Sequence, residues 1–312
     1  MSTLIETQNV RRVKSAVKNT IQTNGFTAVV GDAGTGKTTL YNYYSELLKT
    51  APEKYIYLNI KVLGDSSRSQ IQAIMKLFIQ ELDPDRIVPG NTLLRYSILK
   101  ECLEKAVLAR KKVILMFDEA QDLNIQVFRD LKKIHEIGNA SAEHLFSIVL
   151  FGKTSSRWKP VFNSEELGKR IKRMEMQPVS LEEIVSLAEG FGMKFDGKRS
   201  AASFSGHVKQ KTPLGVRYHC DVIRSMEGFN GILTQELCRK YAQTGLKTHL
   251  SFHRISQTEL LERLKEEFPE TKITRNTLNS ILNGKIDPEE ELEAKLQMAA
   301  DGLISEKMSK AV

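Results

Sequence analysis

Phe26-Thr27-Ala28-Val29-Val30-Gly31-Asp32-Ala33-Gly34-Thr35-Gly36-Lys37-Thr38-Thr39 runs from an apolar strand-like segment through a glycine-rich loop into the start of a helix. Its middle matches the phosphate-loop pattern G-x-x-x-x-G-K-[ST] at every defined position. Glycines there let backbone N–H groups turn inward around phosphate oxygens. Lys37 supplies positive charge for the β and γ phosphates, and the Thr38 hydroxyl can ligate Mg²⁺. The helix predicted over Lys37 to Lys49 points its positive dipole end at the same place. The loop therefore predicts a nucleoside triphosphate site built from Gly31, Asp32, Ala33, Gly34, Thr35, Gly36, Lys37, Thr38 and Thr39.

Such a site needs acids to orient the metal and the water. Val113-Ile114-Leu115-Met116-Phe117-Asp118-Glu119 is a continuous apolar run ending in two carboxylates, the pattern of a buried parallel strand. Asp118 at its C-terminal edge is placed to hold Mg²⁺ through water, and Glu119 to polarise the attacking water. Were Glu119 an ordinary surface acid, the chain would be a nucleotide-gated adaptor without useful turnover.

Around these two motifs, helices and strands alternate. Val10, Val13, Val17 and Ile21 recur at helical spacing among Arg11, Arg12, Lys14 and Lys18. Tyr55 to Ile60 and Leu145 to Phe151 read as further strands. Ser69 to Leu82, Leu93 to Arg110 and Asn124 to Ile137 read as helices, with Pro84, Pro89 and Gly90 as punctuation. This alternation predicts an α/β fold, a parallel sheet flanked by helices with nucleotide at its C-terminal edge. From Ser180 the pattern turns helical, opening on the capping box Ser180-Leu181-Glu182-Glu183. Gly190 to Gly206 lacks periodicity and reads as loop or irregular helix, and helices follow at Gly215 to Met226 and Thr234 to Thr244. Ser256 to Phe268 and Thr274 to Leu282 resemble a helix-turn-helix whose Arg275, Asn276, Asn279 and Asn283 are types that read base edges. The alternative for this tail is docking on a protein, or on the body of the chain. The expected domains are 1–178, an ATP-binding domain; 179–250, a small helical lid; and 251–312, a helical, helix-turn-helix-like end.

The 312 residues carry a formal net charge of +8, unevenly spread. Residues 255–312 hold eight Lys/Arg against twelve Asp/Glu, leaving +12 for residues 1–254. A basic excess on the nucleotide-binding part suggests a polyanion partner, unless it is solubility charge spread over the surface. Cys102, Cys220 and Cys238 lack the paired spacing of a zinc site and read as free or buried thiols. With no apolar run of membrane-spanning length and no signal-like start, the expectation is a cytosolic chain without a membrane partner.

The phosphate loop, the Asp118-Glu119 pair and the small helical part from Ser180 together resemble an AAA+ ATPase, over roughly residues 5–250. Ile5-Glu6-Thr7-Gln8-Asn9-Val10, the basic helix and Ala28 to Thr38 are similar to the transposition-regulator group of that superfamily, to which MuB, TnsC and IstB belong. The resemblance implies an ATPase of slow, regulatory turnover with ATP and Mg²⁺ as cofactors. It would assemble with itself as a helical filament or ring on double-stranded DNA, largely without sequence preference, and recruit or activate a DDE transposase. It also implies a mobile element or phage as the source and a bacterial cytoplasm as the setting. MuB carries its helix-turn-helix ahead of the ATPase, whereas here the comparable segment is last.

Further site residues come from this resemblance. Arg170 or Arg173 would be an arginine finger acting on a neighbour's γ phosphate. Thr154 or Lys153, at the end of the strand after Asp118-Glu119, would sense the γ phosphate. Arg217, following Thr212-Pro213-Leu214-Gly215-Val216, would touch it from the lid. Lys61, Arg68 and Lys76 would contact DNA phosphates. Two other classes share the motifs: a replication helicase loader acting on single-stranded DNA, and a secretion-type assembly ATPase resembling ExeA.

Overall fold

The apolar runs become the middle of one sheet. The computed structural model describes residues 4–60, 67–140, 142–208, 210–226, 228–252, 254–283, 285–286 and 288–310. Contacts divide the chain into two compact units, Met1–Val179 with Thr212–Leu214, and Ser180–Lys211 with Gly215–Val312.

The first unit begins with α1 (Gln8–Thr23), whose N-cap Thr7 accepts the Val10 N–H at 3.2 Å. Asn24, in the left-handed region at φ 49°, ends it. Then come β1 (Phe26–Gly31), α2 (Lys37–Lys49), β2 (Tyr55–Ile60), α3 (Ser67–Leu82), α4 (Thr92–Leu108) and β3 (Lys112–Phe117). A 3-10 turn, Ala120–Asp122, leads to α5 (Ile125–His135), β4 (Ser147–Lys153), the short helices α6 (Lys159–Phe162) and α7 (Glu165–Gly168), and β5 (Lys172–Glu175). The five strands lie in the order β2-β3-β4-β1-β5, every pair parallel.

Because side chains alternate along a strand, each strand serves two cores. Phe26, Ala28, Val30, Leu115, Phe117, Ile148 and Leu150 pack with residues of α3, α4 and α5. Val29, Ile114, Met116, Val149 and Phe151 pack with Val13 and Val17 of α1 and Leu40, Tyr41 and Tyr44 of α2. The sheet is therefore covered on both faces, as a parallel sheet requires. At its N-terminal edge His135 is buried, stacks on His144 with centroids 4.2 Å apart, and has Nε2 2.8 Å from Asn24 O. Burial pushes the His135 pKa down to about 4.

The second unit holds α8 (Leu181–Gly190), β6 (Lys194–Phe195), α9 (Lys198–His207), α10 (Pro213–Arg224, from Gly215 on), β7 (Ile232–Leu233), α11 (Gln235–Phe252), α12 (Gln257–Glu267), α13 (Arg275–Leu282) and α14 (Glu290–Lys310). Ser180 and Glu183 close the expected capping box, as do Ser256 and Glu259. The aperiodic segment 190–206 contains β6, paired in parallel with β7, and most of α9. Ser200 Oγ donates to Gly197 O at 2.7 Å and accepts Gly197 N–H at 3.3 Å, holding the first turn of α9. Leu250, Leu260, Leu264, Leu278, Leu282, Leu296 and Ile304 form the core of the C-terminal helices. Helix α11 packs against α9 as well as α13 and α14, so it runs continuously across residue 250. Cys102, Cys220 and Cys238 are buried and free. No helix among the described residues is long and apolar enough to cross a membrane.

Candidate functional site: the phosphate loop and the strand tips

In the order β2-β3-β4-β1-β5, β4 separates the two motif-bearing strands. The C-terminal tips of β1, β4 and β3 therefore present the phosphate loop, Lys153 and the acid pair side by side. Gly34 and Gly36 take φ values of +77° and +94°, which other residues rarely adopt. Gly34 has a second reason to lack a side chain, since a Cβ there would come within 2.7 Å of Leu214 Cβ. Leu214 N–H also donates to Gly34 O at 3.2 Å, so the segment Thr212–Leu214 backs the loop.

Lys37, the first residue of α2, is 8% exposed. Its ammonium donates to Gly31 O at 2.9 Å, Asp32 O at 2.8 Å and Thr35 Oγ1 at 3.4 Å. Burial lowers its pKa, against the opposing pull of Glu119, Asp118 and Asp32, and Lys153 adds to the lowering. The charge of Lys153 is thus felt at Lys37. Thr38 and Thr39 are exposed on the first turn of α2.

Asp118 follows Phe117 at the tip of β3 and is partly buried. Burial, and to a lesser extent the charge of Glu119, raise its pKa, while the Glu119 backbone N–H, the Thr38 side chain and the charge of Lys37 hold it down. The Glu119 N–H reaches Asp118 Oδ1 at 3.0 Å. Glu119 itself is exposed and sits at φ 53°, a left-handed conformation that costs energy in a residue with a Cβ. The Thr38 hydroxyl and the Asp118 carboxylate, near enough for Thr38 to hold the Asp118 pKa down, form a pair of hard oxygen donors that suits Mg²⁺. Among the described residues there is no cluster of three or more His, Cys, Asp or Glu able to hold a metal by itself.

Strand parity separates the two sensor candidates. Val149 and Phe151 face α2, so Lys153, two residues further along, projects on the same side as the phosphate-loop helix. Thr154 is exposed and tied through its backbone, its N–H donating to Gly31 O at 3.0 Å. One residue of this site has no signal in the sequence reading. Gln121, in the 3-10 turn, donates from Nε2 to Glu119 Oε2 and accepts the Lys153 N–H at Oε1.

The remaining candidates lie apart from this cluster or in the other unit. Arg170 and Arg173 are 47% exposed at and before β5. Arg170 pairs with Glu136 at 3.6 Å and Glu143 at 3.7 Å. Arg173 pairs with Glu175 at 2.9 Å and lies 5.1 Å from the Phe162 ring centre. In the ladder Arg173 is opposite Ala28, set back from the loop toward the other edge of the sheet. Arg217 is exposed on α10 in the second unit, 3.9 Å from Asp221. Lys76 is exposed on α3; Lys61 and the Arg68 side chain lie outside the described residues. In α13, Arg275 and Asn276 are exposed. Asn279 accepts from Gln257 at 3.1 Å and Asn283 from Lys247 at 2.6 Å, so two of the four expected base-reading side chains already have partners.

Residues 19–158 match the family model of the AAA domain. No curated protein matches the chain. Among solved structures, the ORC2 protein of Aeropyrum pernix in ADPNP-ADP complexes is 13% identical over 97% of this chain and 94% of that one, with a TM-score of 0.50. Cdc6p of Pyrobaculum aerophilum is 15% identical over 95% and 94%, with a TM-score of 0.47. A point variant of Thermotoga maritima RuvB is 15% identical over 89% and 82%, with a TM-score of 0.47. At these identities the likeness is one of fold: an α/β domain with the parallel sheet of an AAA+ protein.

Proposed function

We propose that this chain is an AAA+ ATPase that assembles with itself on double-stranded DNA when ATP is bound, marks a transposition target and recruits or activates a transposase. The observation that carries the ATPase part is the grouping of Lys37, Thr38, Asp118 and Glu119 at the C-terminal tips of β1 and β3, on either side of β4. Lys37 now holds loop carbonyls, and phosphate oxygens compete for the same donor. Thr38 and Asp118 would hold Mg²⁺, which neutralises phosphate charge and orients the γ phosphate. Glu119 accepts a proton from water as it attacks the γ phosphorus, and the bond to the bridging oxygen breaks to give ADP and phosphate. Lys153 places a second cation where charge accumulates on the γ phosphate.

The placement of Arg170 and Arg173 supports action between subunits. Both lie away from their own phosphate loop, so a role at a γ phosphate requires a neighbouring copy. Nucleotide then orders an assembly and hydrolysis dissolves it. The DNA and transposase parts rest on the +12 charge of residues 1–254 and on the motif resemblance to the transposition regulators. Lys61, Arg68 and Lys76 are the proposed phosphate contacts, which would give strong salt dependence and little sequence preference.

Phosphate release from ATP by wild-type chain and by Glu119→Gln tests the core of this reading. Turnover in the wild type that falls about 100-fold or more in the variant, with ATP binding retained, is expected. Equal turnover in both removes Glu119 from catalysis.

A further inference from the structure

Gln121 is not used by the chemistry above, yet it is the side chain that joins its parts. The carboxamide spans from the tip of β3 to the tip of β4. Nε2 donates to Glu119 Oε2 at 2.5 Å, and Oε1 accepts the Lys153 N–H at 2.8 Å. Its second donor contact, Asp122 Oδ2 at 3.5 Å, is weak, and that carboxylate is held by Arg157 at 3.0 Å. The carbonyl of Lys153 is fixed as well, accepting from Trp158 Nε1 at 2.9 Å. Both polar groups of Lys153 therefore leave the ladder and are clasped by side chains.

The neighbouring glycine shows that this bridge is built into the sequence. A Cβ on Gly152 would lie 2.5 Å from Trp158 Cζ2 and 3.1 Å from Gln121 Oε1. A bare residue there is what lets the carboxamide and the indole close on Lys153. The chemistry is specific too. A carboxamide offers a donor and an acceptor from one planar group, whereas glutamate lacks the donor and lysine the acceptor.

We propose that Gln121 is a positioning residue that ties Glu119 to the tip of β4, so that phosphate capture by Lys153 and the orientation of Glu119 change together. This rests on the reading of Glu119 as the general base. Its role runs through Glu119, to which its Nε2 donates.

The test uses the full chain with Gln121→Met, which keeps the length and removes both hydrogen bonds, and Gln121→Glu, which keeps the acceptor for Lys153 and loses the donor to Glu119. Phosphate release, affinity for a fluorescent ATP analogue and thermal unfolding are measured for each beside wild type and Glu119→Gln. Both Gln121 variants are expected to lose roughly ten-fold or more in kcat, with ATP affinity within about two-fold of wild type. Gln121→Glu keeps the comparison open should Gln121→Met fail to fold. A kcat within two-fold of wild type overturns the proposal, as does a loss of kcat matched by an equal loss of ATP affinity, which marks a structural role. If wild type shows no turnover, or Glu119→Gln retains it, the general-base reading falls first and takes this proposal with it.

Discussion

Replacing Gly34 by alanine separates two costs that the phosphate loop combines. The residue sits at φ +77°, where a Cβ is strained by about 1–2 kcal/mol. Its new Cβ would also stand 2.7 Å from Leu214 Cβ, a contact relieved only by moving the Thr212–Leu214 segment. Overpacking of this kind costs about 1–3 kcal/mol, so the variant should lose about 2–5 kcal/mol in all. Gly36 is the internal control. It has φ +94° but nothing within 4 Å of an added Cβ, so alanine there should cost only the backbone part, about 1–2 kcal/mol. The assay is urea unfolding of the full chain without nucleotide, for both single variants, for Leu214→Gly and for the two doubles. Removing the Leu214 Cβ should recover the steric part only in the Gly34→Ala background, a coupling of about 1–3 kcal/mol. The Gly36 cycle should close to within about 0.5 kcal/mol. If Gly34→Ala costs no more than Gly36→Ala, or the Gly34–Leu214 coupling is zero, Leu214 does not back the loop.

Other outcomes follow from the same geometry. Lys37→Ala should weaken ATP binding by about 100-fold or more in titration calorimetry, since a charge about 4 Å from phosphate in a partly buried site is worth several kcal/mol; unchanged affinity removes Lys37 from the phosphates. Arg170→Ala or Arg173→Ala should leave ATP affinity of the dilute chain intact and lower turnover of the assembled one. Mixing the effective variant with Lys37→Ala, which keeps its arginines, should restore part of that turnover, and absence of any recovery rules out action between subunits. Acid stability should depend on His135. Its folded pKa of about 4 lies below the unfolded value near 6.5, so only the unfolded chain binds this proton between the two. The stabilisation is present above about pH 6.5 and lost as pH falls toward 4, amounting to about 3 kcal/mol. His135→Leu should flatten that stretch of the pH profile, and an unaltered profile would show that His135 titrates normally.

How much of this was legible in the sequence depended on what each element faces. Strands β1, β3 and β4 are buried on both faces, so they read as continuous apolar runs, although β4 begins two residues later than expected and extends through Lys153. Strand β5 was not legible. As an edge strand with one neighbour, it needs only Met174 and part of Glu175 inside, and Lys172-Arg173-Met174-Glu175 reads as a basic surface. Helix α9 was hidden by Gly, Ser and Lys, residues with weak or solvent-facing signals, and its start depends on the Ser200 hydroxyl folding back to Gly197. Helix α14 lacks a clean amphipathic stripe; Leu296, Ala299, Ala300 and Ile304 supply its buried face through small residues as much as large ones.

In the site, the motif residues could be read because phosphate chemistry fixes both their types and their spacing. Gln121 could not, because its partner Lys153 is 32 residues away and is reached only once β3 lies beside β4. Gly152 is the trace such a bridge leaves in the sequence, a glycine in a buried strand where a ligand or side chain must pass. That Lys153 rather than Thr154 shares a side of the sheet with α2 needed the strand's parity, which follows from which core Val149 and Phe151 join.

The proposed function turns on assembly on duplex DNA controlled by ATP. Negative-stain electron microscopy of the purified chain with random-sequence duplex at moderate salt tests it most directly, comparing ATP, ADP and no nucleotide, with Glu119→Gln alongside. Filaments or rings are expected on duplex with ATP alone, persisting in Glu119→Gln after the wild-type assemblies have dissolved. Assembly that is indifferent to nucleotide, or no assembly on duplex in any condition, would contradict it.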